Sequence, residues 1–104
     1  MGKNAMVVGV SSIEIFLPEN HSLKDKRQAI KKIVEKTRIK FNISIADISQ
    51  NNLWQRALIG FSIVGVRQDH VNSAIENISE YIESLYIGKI INTRTEIIIV
   101  GNEI

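Results

Sequence analysis

The chain has 104 residues, 44% hydrophobic and 23% charged, a balance ordinary for one soluble globular domain with a modest core. Thirteen Lys and Arg against eleven Asp and Glu give a net charge of +2, and the lack of cysteine excludes disulfides, thiolate nucleophiles and thiolate metal sites. No apolar run approaches the roughly 20 residues a bilayer requires. The opening MGKNAMVVGV lacks the apolar core and cleavage site of a signal peptide. Met1-Gly2 begins like a myristoylation signal, but Met6 stands where Ser or Thr is needed. The expectation is a single cytoplasmic domain over residues 1–104, with no membrane association.

Residues 5–17 read as a strand that is apolar on both parities, with Met6, Val8, Val10 and Phe16 on one and Val7, Ile13 and Ile15 on the other. Such a strand belongs in the middle of a sheet. Gly9 inside it marks a close contact or a bulge. Pro18-Glu19-Asn20-His21 ends the strand.

Residues 22–41, SLKDKRQAIKKIVEKTRIKF, read as the strongest helix. Ser22 is suited to cap its start, and Asp25 three residues on forms a weak capping box and complements the helix dipole. At 100° per residue, Leu23, Ile30, Ile33, Val34, Thr37 and Phe41 share one side. Lys24, Arg27, Lys31 and Arg38 form a stripe away from it. Lys26 falls near the apolar side and is expected to face the sheet. Eight cations and two acids put +6 on this segment, against +2 for the chain. That charge suits either a solvated face or an electrostatic footprint for phosphates.

Residues 42–49 read as a second strand, with Ile43, Ile45 and Asp47 on one face. Gln50-Asn51-Asn52 is turn chemistry. Residues 54–66 read as a third strand, antiparallel to the second because the connection is short. Asp69 is expected to cap a second helix running to about Tyr86, with Val71, Ala74, Ile75, Ile78, Ile82 and Leu85 as its core stripe. Glu76, Glu80 and Glu83 lie opposite, a solvated face. Gly88 is the expected helix stop. Residues 89–100 form the last strand, ending in Ile97-Ile98-Ile99-Val100, apolar on both faces.

The order strand, helix, strand, strand, helix, strand predicts an α+β ferredoxin-like βαββαβ plait: a four-stranded antiparallel sheet in the order 4-1-3-2 with both helices on one face. This topology brings the start of the first helix, the end of the second strand and the start of the third to one corner. Lys26, Asp47, Trp54, Gln55 and Arg56 are then neighbours. They serve either as a structural lock, with Lys26 paired to Asp47, or as a recognition site in which Trp54 stacks and the cations hold phosphate. The other sheet face lacks helices to cover its apolar residues, so a homodimer or higher oligomer through the sheet or its edge is expected.

SLKDKR at residues 22–27 and LWQRA at residues 53–57 resemble the two signature stretches of the YlxP-like family, and MVVGV at residues 6–10 resembles its opening strand. The likeness covers about residues 6–99, with residues 1–5 as a short extension. It implies the ferredoxin-like fold, a small bacterial cytoplasmic protein, no assigned catalytic residues, and genes often beside those for translation initiation and ribosome maturation factors.

Enzyme chemistry finds little support. His21 and His70 are expected near opposite ends of the domain, and neither sits in a metal-ligand spacing. Gly60-Phe61 lies on the third strand, but Ser62 and Val64 stand where RNA-recognition motifs carry further aromatics. No glycine-rich phosphate loop and no cofactor motif is present. The expected function is a non-catalytic accessory that binds ribosomal RNA or ribosomal particles through Lys24, Lys26, Arg27, Lys31, Arg38, Asp47, Trp54, Gln55 and Arg56. The alternative is a small homo-oligomeric scaffold or ligand-sensing module.

Overall fold

The computed structural model describes residues 3–103, with side chains for residues 5–101. The start of the chain at Met1-Gly2, considered above for lipid attachment, lies outside the described residues. The elements are β1 (Lys3–Phe16), α1 (Leu23–Lys40), β2 (Ser44–Asp47), β3 (Arg56–Gly65), α2 (Gln68–Ser84) and β4 (Lys89–Glu103). One antiparallel sheet runs β2-β3-β1-β4, with both helices packed on one face, a ferredoxin-like α+β plait.

Odd-numbered strand residues build the core. Val7, Ile13 and Ile15 of β1, Ala57, Ile59 and Phe61 of β3 and Ile45 of β2 face Ile30, Ile33 and Val34 of α1 and Val71, Ile75, Ile78 and Ile82 of α2. Phe61 is therefore a core residue, not a stacking platform. Two polar groups enter this layer with partners: Ser11 Oγ lies 3.2 Å from Thr95 Oγ1, and Thr37 Oγ1 donates to Ile33 O at 2.7 Å. Among the described residues no buried side-chain nitrogen or oxygen is left without a partner.

Ser22 caps α1 by accepting from the Asp25 amide at 3.0 Å. The Asp25 carboxylate accepts from the amide of His21, one residue before the cap, instead of from Ser22 itself. Asp69 does not cap α2. The helix begins two residues earlier than that cap implies, at Gln68 after Arg67, and the Arg67 guanidinium grips the carboxylate at 2.9 and 3.0 Å. That bond holds the Asp69 carboxyl below the usual aspartate range.

Two glycines are explained by close packing. A Cβ on Gly9 would lie 2.7 Å from both Val71 and Ile75, so α2 seats on β1 at this point. Gly88 does not supply the left-handed residue that ends α2; Tyr86 does, at φ 55°. A Cβ on Gly88 would stand 2.8 Å from Phe16 O and from a Leu17 methyl, and closer still to Ile15. It is glycine because the entry to β4 crosses tightly over the end of β1.

The outer strands differ from expectation in length. β2 is four residues long, and Trp54 and Gln55 sit in the turn before β3. β1 and β4 continue past the last β1–β3 pair, Val7 with Gly65, as far as Lys3 with Glu103. This two-stranded arm extends the molecule to 56 × 24 × 20 Å and its radius of gyration to 15.4 Å, against about 13 Å for a compact chain of this length.

Candidate nucleic-acid interface

The α1–β2–β3 corner forms from three segments far apart in sequence. Lys26, on the core side of α1, is only 4% exposed. Its ammonium donates to Asn51 Oδ1 at 2.8 Å and to Asn51 O at 3.3 Å. Asn51 Oδ1 also accepts the Leu53 amide at 3.0 Å. One asparagine thus turns the loop and solvates a buried cation. The expected pair with Asp47 does not form: among the described residues the ion pairs are Arg56–Glu14 and Arg67–Asp69. Asp47 keeps the expected side of β2 but stays exposed, and its carboxylate accepts the Ser49 amide at 2.9 Å. The loop after β2 folds back over the first turn of α1, which brings Asn51, not Asp47, to the ammonium.

The same loop presents Trp54. Asn20 Nδ2 donates to Trp54 O at 3.3 Å, Gln55 Nε2 donates to Pro18 O at 3.1 Å, and the Leu17 amide donates to Gln55 O at 2.9 Å. These bonds fix the backbone while the Trp54 side chain is left half-exposed, at 52%. Gln55 is therefore spent on holding the turn. Arg56 reaches Glu14 across β3–β1 at 2.9 Å, on the sheet face away from the helices.

Three adjoining hollows run along this side of the molecule. The first, about 350 Å³, lies between α1 and β2 and is edged by Arg27, Lys31, Arg38 and Asp47. The second, about 260 Å³, shares Arg27, Ile30 and Asp47 with it and reaches Asn51 and Asn52. The third, about 560 Å³, shares Asn52 with the second and is lined by Phe16, His21, Leu53, Trp54 and Arg56. The first two share a wall and form one cationic furrow between α1 and β2; the third meets them at Asn52 and carries Trp54. Arg38 also donates to Ile45 O at 3.1 Å, closing part of the free edge of β2. Lys24 is exposed but lines none of these hollows.

The structure thus gathers Arg27, Lys31, Arg38 and Asp47 along the α1–β2 furrow, ties Lys26 into its frame, and places Trp54, Gln55 and Arg56 on the hollow that meets it at Asn52. Sequence reasoning misses Asn51 and Asn20 as organisers. Asn51 leaves a signal, since a lysine on an apolar helix face demands an oxygen-rich neighbour and the loop holds two asparagines. Among the described residues no group of three or more His, Asp or Glu side chains is placed to hold a metal, and no helix is long and apolar enough to cross a membrane.

A family model described as "Protein of unknown function (DUF503)" matches residues 8–95. The chain belongs to that family. This DUF503 member is 29% identical over 90 residues to "Uncharacterized protein YlxP" of Bacillus subtilis (strain 168), covering 86% of this chain and 98% of the relative. A de novo designed protein, Foldit4, is similar in structure with a TM-score of 0.50 at 17% identity, covering 91% of this chain and 96% of the design. That likeness speaks for the fold alone.

Proposed function

We propose that the protein is a non-catalytic RNA-binding accessory of ribosomal particles in the cytoplasm, taking a single strand along the furrow from Arg38 to Trp54. The supporting observation is that the two hollows sharing Arg27 and Asp47 carry three exposed cations, Arg27, Lys31 and Arg38, and that the hollow meeting them at Asn52 carries a half-exposed indole. Cations along a groove followed by an aromatic platform are the two parts of sequence-tolerant single-strand binding. Arg27, Lys31 and Arg38 contact phosphates, with Lys24 adding to the field. Trp54 stacks on a base. Asp47, the acid in this path, suits an exocyclic amino group of a base and repels phosphate. Lys26 and Asn51 hold the loop that carries Trp54. The choice of ribosomal RNA follows the gene neighbourhood that the family resemblance implies.

Titration of labelled ribosomal RNA fragments at several salt concentrations tests this. Arg27→Gln with Lys31→Gln should flatten the slope of log K against log salt by about 1.4, at roughly 0.7 for each phosphate no longer neutralised. Trp54→Ala should weaken binding by about tenfold at nearly constant slope, since stacking releases few counterions. Equal slopes for wild type and the double variant, or no measurable affinity at physiological salt, refute the proposal.

The homo-oligomeric alternative is favoured by a separate observation. The face of the sheet opposite the helices is uncovered and holds an open hollow of about 410 Å³ bounded by Val10, Ile48, Arg94 and Glu96.

A further inference from the structure

The two edges of the sheet are treated very differently. The β2 edge is four residues long, and Arg38 takes one of its carbonyls. The β4 edge is fifteen residues long, contains no proline, and carries Ile91, Ile98, Ile99 and Val100 at 40–60% exposure. Free edges of this length and character are open to pairing with another strand unless blunted by short length, charge or proline. Its far end, with β1, is a ribbon with no third strand, and isolated two-stranded ribbons are marginal in water.

The charges on β4 say which strand fits. Arg94 and Glu96 flank Thr95 and share the sheet face away from the helices, opposite Ser12 and Val10 of β1. A symmetric antiparallel pairing of β4 with itself must centre on one residue, because cross-strand partners share a face. Centring on Arg94 sets two arginines opposite each other, and centring on Glu96 sets two glutamates. Centring on Thr95 sets each Arg94 opposite the Glu96 of the other copy. It also sets Thr93 opposite Ile97 on the helix-facing side and Asn92 opposite Ile98 on the other.

We propose that two copies of this chain pair β4 to β4 antiparallel about Thr95, forming a continuous eight-stranded sheet held in register by two Arg94–Glu96 contacts. The two-fold axis stands perpendicular to the sheet, so all four helices lie on one side. Each basic furrow borders β2, so the two furrows lie at the outer edges, roughly 35 Å apart at about 4.8 Å per strand. This assembly does not depend on RNA binding.

The test uses sedimentation equilibrium of the full chain at tens of micromolar, with circular dichroism to verify folding. Wild type should sediment at twice the chain mass. Arg94→Glu or Glu96→Arg alone replaces two attractive pairs with two repulsive ones and should raise the dissociation constant roughly tenfold or more. Arg94→Glu with Glu96→Arg restores both pairs and should restore the dimer. Because the chain has no cysteine, Thr95→Cys should form an interchain disulfide on mild oxidation, whereas Asn92→Cys, which lies opposite Ile98, should not. The cysteine pair decides the matter if a charge variant fails to fold. A monomeric wild type, a dimer indifferent to the single reversals, no rescue by the double reversal, or equal crosslinking at both cysteine positions overturns the proposal.

Discussion

Replacing Asn51 with alanine isolates what holds the furrow-bearing loop. Lys26 is 4% exposed, and Asn51 supplies both acceptors of its ammonium, one from the side chain and one from the backbone. Asn51→Ala deletes the shorter bond, at 2.8 Å, and strands the Leu53 amide. A hydrogen bond to a charged group contributes about 1.5–3 kcal/mol. Asn51 itself is exposed, so water relieves part of the loss, and about 2 kcal/mol is the expected cost. For a chain of this length the unfolding entropy is about 0.22 kcal/mol/K, so Tm should fall by about 9 °C. Lys26→Met behaves differently. It keeps the apolar stem, removes the buried charge together with its desolvation cost, and leaves Asn51 Oδ1 bonded to the Leu53 amide. Its cost should be about 0–1 kcal/mol, as when a buried ionic group is replaced by an apolar side chain of similar volume. Thermal melts followed by circular dichroism compare the two. If Lys26→Met proves more destabilising than Asn51→Ala, the ammonium is stabilised by something other than Asn51 and the reasoning fails.

Three further outcomes follow from particular features of the fold. Gly88→Ala should lose about 3 kcal/mol in chemical denaturation, since the new methyl meets Phe16 O at 2.8 Å and backbone cannot yield cheaply; a loss under about 1 kcal/mol contradicts the close crossing. Ser22→Ala should cost about 1 kcal/mol by the same measurement through removal of the 3.0 Å cap to Asp25, and an unchanged midpoint counts against that cap. Asp47→Asn should strengthen RNA binding severalfold at low salt by removing the acid from the furrow, with the gain fading as salt rises; unchanged affinity places the RNA elsewhere.

Much of the architecture is determined by the sequence alone. Strand-length apolar runs, two amphipathic helices and the order of the six elements dictate the plait and the strand order, because each follows from local pattern plus the handedness of connections. The uncovered sheet face follows too, since two helices cannot shield both sides of four strands. The burial of Lys26 is legible from its angle on the helix. Its partner is not. Choosing among Asp47, Asn51 and Asn52 depends on the path of a loop 25 residues away from the lysine, and the obvious carboxylate loses to an amide oxygen that the loop carries inward. Tertiary structure likewise decides which cations line the furrow beside β2, because only the packing of α1 on β2 separates Arg27, Lys31 and Arg38 from the outlying Lys24. It decides the arm as well. How much of the β1–β4 ribbon lacks a third strand depends on where β3 leaves the sheet for α2, which is a property of the pairing and not of either strand's own pattern.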